Sequence, residues 1–280
     1  MQQSQLKSPD PWGRTFRMEE RTLASAAMRL EARGRHPFFA HVLDEYASRL
    51  DLSGTEAILD LGCGTGLAAR AFARRPEVKG PITAIDVSPH LVEAGRRAAA
   101  GEGVGGRIDF RVGDAHRLDL PEGSFDVVVM HTLISHVADP TTVLAEARRL
   151  LRPGSGRLVV FDGDHSSLTF ATDAPDGGEV TDRILQRTGV AHPRVMRAMP
   201  RLLAQARLVL LWSRGYVVAD TGRADFFSPG IASLRVLLPK AGAMSEAKAA
   251  AFAERLERAS AENSFFGASN FYTYVAVRGD

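Results

Sequence analysis

The chain has one cysteine, Cys63, among 280 residues. That excludes an internal disulfide, a metal site built from several thiolates, and any mechanism that passes a group between two thiols. Such usage fits a reducing compartment. Lysine is nearly as scarce: Lys7, Lys79, Lys240 and Lys248 stand apart, so there is no lysine-rich tail and no polybasic anchor, and the other basic residues are arginines. No stretch approaches the roughly eighteen uninterrupted apolar residues a spanning helix needs, and the polar opening segment has no apolar leader core. A cytoplasmic location is the expectation. Strong charge of one sign is also missing, since the net formal charge is only +2, which gives little reason to expect a nucleic-acid partner.

What is present is enough for one substantial core. Hydrophobic residues make up 45% and charged residues 24%, a balance that favours one enlarged globular domain over a disordered chain. Residues 1–17 form a turn-rich lead containing Ser8, Pro9, Asp10 and Pro11. Helical periodicity follows over 18–32 and 37–50, the second with an apolar face of Phe38, Phe39, Val42, Leu43 and Tyr46.

After Gly54 the pattern changes to short apolar runs at 57–61, 82–85, 108–112, 125–130 and 157–161, separated by amphipathic segments. This alternation predicts β-α-β units and a mainly parallel sheet, an α/β fold with helices on both faces. Ser88-Pro89 and Asp139-Pro140 each set an N-cap residue before a proline, and Arg152-Pro153-Gly154 stops the second of those helices. Beyond 161 the alternation lapses into a Gly/Asp-rich loop and helical segments near 181–189 and 195–206. A strand near 208–218, a long helix over 245–262 and a final strand over 271–277 complete the chain. The organisation reads as 1–50, 51–162, 163–206 and 207–280.

The most informative stretch is Asp60-Leu61-Gly62-Cys63-Gly64-Thr65-Gly66, where an apolar strand ends in a glycine turn and runs into a helix. Glycine lets the backbone bend sharply and approach a ligand that a Cβ would obstruct, and the helix behind supplies free N–H donors. The spacing is G-x-G-x-G rather than the dinucleotide G-x-G-x-x-G. Asp86 closes the second strand, where a carboxylate can accept from a ligand's hydroxyls or cap the next helix, a role for which Ser88 is better placed. Asp114 follows the third strand.

From about 51 to 162 this pattern resembles the class I S-adenosylmethionine-dependent methyltransferases, nearest the branch similar to ubiquinone and menaquinone methyltransferases. Ser155 replaces one glycine of the usual Pro-Gly-Gly turn. The resemblance implies a Rossmann-like seven-stranded sheet whose last strand is antiparallel, with 1–50 as a helical lid, 163–206 as a substrate cap and 207–280 completing the sheet. It implies S-adenosylmethionine as cofactor and S-adenosylhomocysteine as product. Asp60, Gly62, Cys63 and Gly64 would border the amino acid moiety, with Gly66 starting the helix. Asp86 and Val87 would lie at the ribose, Asp114 and Ala115 at the adenine, and Met130 and His131 at the end of the fourth strand.

Methyl transfer requires alignment of the acceptor, exclusion of water and, for a hydroxyl or activated carbon, removal of a proton. Parallel α/β sheets bind ligands beyond the carboxyl ends of their strands, so the candidate bases are His131 first, then His165 and His136. Each can equally shape a pocket without moving a proton. Asp162-Gly163-Asp164-His165 invites a magnesium reading similar to that of catechol methyltransferases. No carboxylate stands directly after the fourth strand, however, Asp139 lying several residues on, so no metal is expected. The Asn/Asp-Pro-Pro-aromatic motif of nucleic-acid amino methyltransferases is replaced by Met130-His131-Thr132-Leu133, and the cysteines that cytosine C5 and arsenite methylation use are missing. Phe38, Phe39, Trp212, Phe226 and Phe227 make a hydrophobic or aromatic metabolite the expected acceptor, for a monomer or homodimer. Three other readings remain open: a non-methylating enzyme such as a cyclase on the same fold, a cofactor-binding partner subunit without turnover, and, because arginine is abundant, an RNA or protein acceptor.

Overall fold

The computed structural model describes residues 20–280; the turn-rich lead expected over 1–17 lies outside the described residues. Four of the five expected core strands form within two residues of their expected ends: β1 (Ile58–Leu61), β2 (Ile82–Asp86), β3 (Ile108–Val112) and β4 (Val127–His131). Buried on both faces, β1, β2 and β4 read as continuous apolar runs, as parallel central strands do. They join β5 (Arg157–Phe170), β6 (Leu208–Gly222) and β7 (Phe265–Arg278) in one seven-stranded sheet of order β3-β2-β1-β4-β5-β7-β6. β7 runs antiparallel to both neighbours, and the pairs from β3 to β5 are parallel. Strand order reverses between β1 and β4, which opens a crevice at their carboxyl ends.

Side-chain alternation divides the core. On one face Ile58, Val127, Val129, Val159 and Phe161 meet α2 (Pro37–Ser48), α3 (Leu67–Arg74) and α4 (Pro89–Gly101). On the other, Leu59, Leu61, Val128, Met130 and Val160 meet α5 (Pro140–Leu150) and α7 (Val195–Gln205). The caps behave as expected: Ser88 accepts from the Leu91 N–H at 3.3 Å and Asp139 from the Thr141 N–H at 2.9 Å. α1 (Glu20–Gly34) lies N-terminal to α2, and α6 (Glu179–Leu185) follows β5.

The largest departure from expectation is β5, which continues to Phe170 where a loop was expected. Asp162, Gly163 and Asp164 are turn formers, but their backbones pair with Tyr272, Phe271 and Asn270 of β7. The two buried carboxylates find partners. Asp162 accepts from the Ser135 and Gly163 N–H groups at 3.0 and 2.8 Å, and Asp164 pairs with Arg197 at 2.7 Å. A register shift between Asp164 and Thr169 absorbs the next residues, and Ser167 Oγ accepts the Asn270 N–H at 2.7 Å. The sequence reading also missed α8 (Ser228–Lys240), which packs with α9 (Glu246–Ala261), Phe170 and Phe265 as a third core cluster.

Candidate functional site

The turn after β1 passes through Gly62, Gly64 and Gly66 at φ +71°, +55° and +74°. A Cβ at Gly62 would stand 2.4 Å from Leu133 Cδ1, and one at Gly66 would stand 2.7 Å from the Phe110 ring. The turn is tied to β2: the Gly62 and Cys63 N–H groups donate to the Ile85 carbonyl at 2.8 and 2.9 Å, and the Gly64 N–H donates to Asp86 Oδ2 at 2.8 Å. The other Asp86 oxygen accepts the Ser88 N–H at 2.9 Å. Burial raises the Asp86 pKa, against the pull of these N–H groups.

Asp60 is the most perturbed carboxyl at the turn. It is 1% exposed, its Oδ2 accepts the Ala69 N–H at 2.9 Å, and its Oδ1 has no partner among the described residues. Burial lifts its pKa to about 7 despite the Ala69 N–H, with Asp86 pushing the same way. Thr65 Oγ1 is also buried without a partner among the described residues. Both residues line a cavity of about 350 Å³ at the carboxyl ends of β1, β2 and β4.

That cavity gathers most of the residues singled out in the sequence. Asp60, Gly62, Cys63, Gly64, Asp86, Val87, Asp114, Ala115, His131 and His136 all border it. Gly66 stands behind it at the start of α3. Met130 is a correction: fully buried, it points by strand alternation to the opposite face from His131 and packs in the α5 and α7 core. His165 does not border the cavity either. Its Nε2 stands 3.8 Å from Asp162 Oδ1, and its ring lies 6.1 Å from that of His136. Burial pushes the Cys63 thiol far above its usual pKa, which makes it a small residue of the turn and no nucleophile. Against the cost of burial, the His116 N–H and imidazole hold the Asp114 carboxylate below its usual range.

Residues 59–160 match the family model described as a methyltransferase domain. Those residues are a methyltransferase domain. Over 155 residues, 53% of this chain and 43% of the other, it is 39% identical to an uncharacterized 37.1 kDa protein in transposon Tn4556 of Streptomyces fradiae. Over 151 residues, 54% of this chain and 59% of the other, it is 37% identical to the ubiquinone biosynthesis O-methyltransferase of Xanthomonas oryzae. The chain thus spans about half the length of the curated relatives it matches. Among solved structures the [4+2]-cyclase SpnF shares the fold, with TM-score 0.57 at 23% identity over 88% of this chain and 85% of that one.

Beside the methyltransferase domain's cavity lies a second one of about 470 Å³ between α1, α2 and α3. The two share Leu30, Arg33, Leu67, His131 and Thr132. Thr132 sits at φ +62°, a rare conformation for a non-glycine residue, and its N–H donates to the Phe161 carbonyl at 2.7 Å. Phe39, stacked on Phe226 with centroids 5.7 Å apart, lines the second cavity. Phe38 joins this aromatic group, while Phe227 belongs to the α8 and α9 cluster and Trp212 lies under Arg49 on β6. Arg33 escaped the sequence reading because helical periodicity does not say which polar residue of a lid faces inward, whereas Tyr46, Thr65 and Asp162 were read there only as part of an apolar face, the glycine turn and a metal-binding run. Among the described residues, no group of three or more histidine, cysteine or carboxylate side chains is placed to hold a metal ion, and no helix is long and apolar enough to cross a membrane.

Proposed function

We propose that the chain is an S-adenosylmethionine-dependent methyltransferase acting on O, N or C of a small hydrophobic or aromatic metabolite. The observation that carries this reading is the orphaned Asp60 Oδ1 beside a glycine turn that a Cβ would fill. A buried acceptor without a donor suits an ammonium group, and the residues present fit the cofactor. Asp60 would hold its amino group, Asp86 its ribose hydroxyls, and Asp114 with the Ala115 N–H its adenine. Once bound, the sulfonium supplies an electrophilic methyl group. The protein's own part is to orient the acceptor and to exclude water.

The second cavity is where the acceptor belongs. It meets the first at His131 and Thr132 and is walled by Phe39, Leu43 and Ala71, apolar surface suited to an aromatic or aliphatic body. His136 remains a candidate proton acceptor at the first cavity, whereas His165 is placed to support Asp162. Incubation with S-adenosylmethionine and a panel of phenols, amines and enols tests the reading. Stoichiometric S-adenosylhomocysteine and a methylated product support it. Altered acceptor without S-adenosylhomocysteine would point to a non-methylating reaction.

A further inference from the structure

The class of acceptor follows from how α2 holds His131, an inference that rests on the methyl-transfer reading above. Tyr46 is fully buried, and its hydroxyl stands 3.1 Å from His131 Nδ1. Burial, with Asp60 adding to it, pushes the phenol well above its usual pKa, so the hydroxyl keeps its proton and needs an acceptor. Nδ1 stands in place to accept it, the direction of the bond depending on the imidazole tautomer. A neutral imidazole that accepts at Nδ1 carries its hydrogen on Nε2. Burial, and secondarily Arg33, hold the His131 pKa down to about 3 against the pull of Asp162, so the ring is neutral across the working range.

With Nδ1 engaged in that way, His131 presents an N–H donor rather than a base. It does so at the junction of the two cavities, and Arg33 lines the same junction. The Arg33 guanidinium lies over the Phe39 ring at 4.4 Å. Neighbouring cations of the second cavity are neutralised, Arg74 by Glu102 and Arg75 by Asp44 and Glu77, whereas Arg33 has no carboxylate at ion-pair distance among the described residues. The acid that acts on it, Asp162, is engaged by the Ser135 and Gly163 N–H groups. The groups facing His131 are thus Arg33 from α1, Tyr46 from α2 and Asp162 from β5, with Phe39 and Phe161 completing its walls.

We propose that His131, fixed by Tyr46 as the Nε2–H tautomer, and the Arg33 guanidinium together bind the acceptor's oxygen as an anion, so that the acceptor is a phenol or enol taken up as its conjugate base. The acceptor's proton leaves to solvent on binding. The anion's electron pair then forms the bond to the methyl carbon while the carbon–sulfur pair returns to sulfur, and that step calls on no protein base. Tyr46 is a positioning residue, acting through His131.

Two measurements on the full chain test this. In protein labelled with 15N-histidine, with His131→Gln assigning the resonance, His131 shows a bare Nδ1 and a protonated Nε2 from about pH 5 to about pH 8, and Tyr46→Phe changes that pattern. A protonated Nδ1, or an imidazolium titrating near neutrality, overturns the proposal. In protein loaded with S-adenosylhomocysteine, 4-nitrophenol is taken up as the coloured phenolate with its apparent pKa lowered by about one unit or more. Arg33→Gln and His131→Ala diminish that shift, and His131→Gln, which keeps an N–H donor, retains part of it. An unchanged or raised dye pKa, or no uptake, overturns the proposal. Calorimetric binding of S-adenosylhomocysteine on the same samples reads the underlying methyl-transfer assignment separately.

Discussion

One oxygen of Asp60 accepts the Ala69 N–H at 2.9 Å while the other, equally buried, has no partner among the described residues. Burial consequently lifts the carboxyl to about pH 7. Because the folded pKa lies above the unfolded one, its contribution to stability is fully present below about pH 4 and is lost as pH rises through about 7. In urea unfolding, Asp60→Asn should remove a decline on the order of 2–4 kcal/mol between those limits, seen as the wild-type minus variant difference.

The same carboxyl couples cofactor binding to pH. A ligand ammonium favours the ionised form, so affinity for S-adenosylhomocysteine should rise with pH up to about 7 by as much as about tenfold per unit, then level off. Calorimetry in two buffers of different ionisation enthalpy should show proton release near neutrality. Proton uptake, or no pH dependence, would contradict the assignment of Asp60.

Asp162 has the opposite sign. Burial disfavours its charge, but the His165 and His136 imidazoles and the Ser135 N–H overcome that cost and hold it at about 2. Its contribution is present above about pH 4 and is lost as pH falls toward 2. Asp162→Asn should destabilise the protein by roughly 2–3 kcal/mol at pH 7 and flatten the acid limb of its stability profile. An unchanged acid limb would show that Asp162 contributes nothing there.

Much of this was legible beforehand, and the pattern of success has a physical reason. The glycine turn, Asp86 and the Ser88 and Asp139 caps are local features, in which backbone geometry dictates residue type within a few positions. The extension of β5 past Phe161 was not legible. Asp162, Gly163 and Asp164 are turn formers by propensity, and only pairing with β7 and partners such as Arg197, far along the chain, makes them strand. Tyr46 and Arg33 were hidden for a similar reason: an apolar face predicts burial, but not which ring nitrogen a buried hydroxyl meets.

The glycines offer an internal comparison. Gly66 and Gly103 both sit at positive φ, +74° and +72°, but a Cβ at Gly66 meets the buried Phe110 ring at 2.7 Å and one at Gly103 meets nothing within 4 Å. Gly103→Ala should cost about 1 kcal/mol from backbone strain alone, and Gly66→Ala about 2–4 kcal/mol. Thermal unfolding of the pair reads the difference, and equal losses would contradict the steric account of the turn.

Arg70 joins α1 to α3 and the end of α4. Its side chain is almost fully buried, with Glu31 at 2.6 Å and Glu102 as second partner. Because both carboxylates are partly exposed, Arg70→Ala should cost about 2 kcal/mol rather than the larger loss of a fully buried pair. It should also loosen the wall that carries Leu30 and Arg33. Hydrogen exchange of α1 in Arg70→Ala, faster than wild type at equal temperature, checks this, and unchanged exchange would show that α1 is held elsewhere.

The most direct test of the central claim is calorimetric titration of the folded protein with S-adenosylmethionine, S-adenosylhomocysteine and NAD, repeated on Asp86→Ala and Gly64→Val. The account predicts saturable binding of the first two, none of NAD, and loss in both variants. Folded wild-type protein that binds neither S-adenosyl compound would contradict it, and would leave the glycine turn as scaffold.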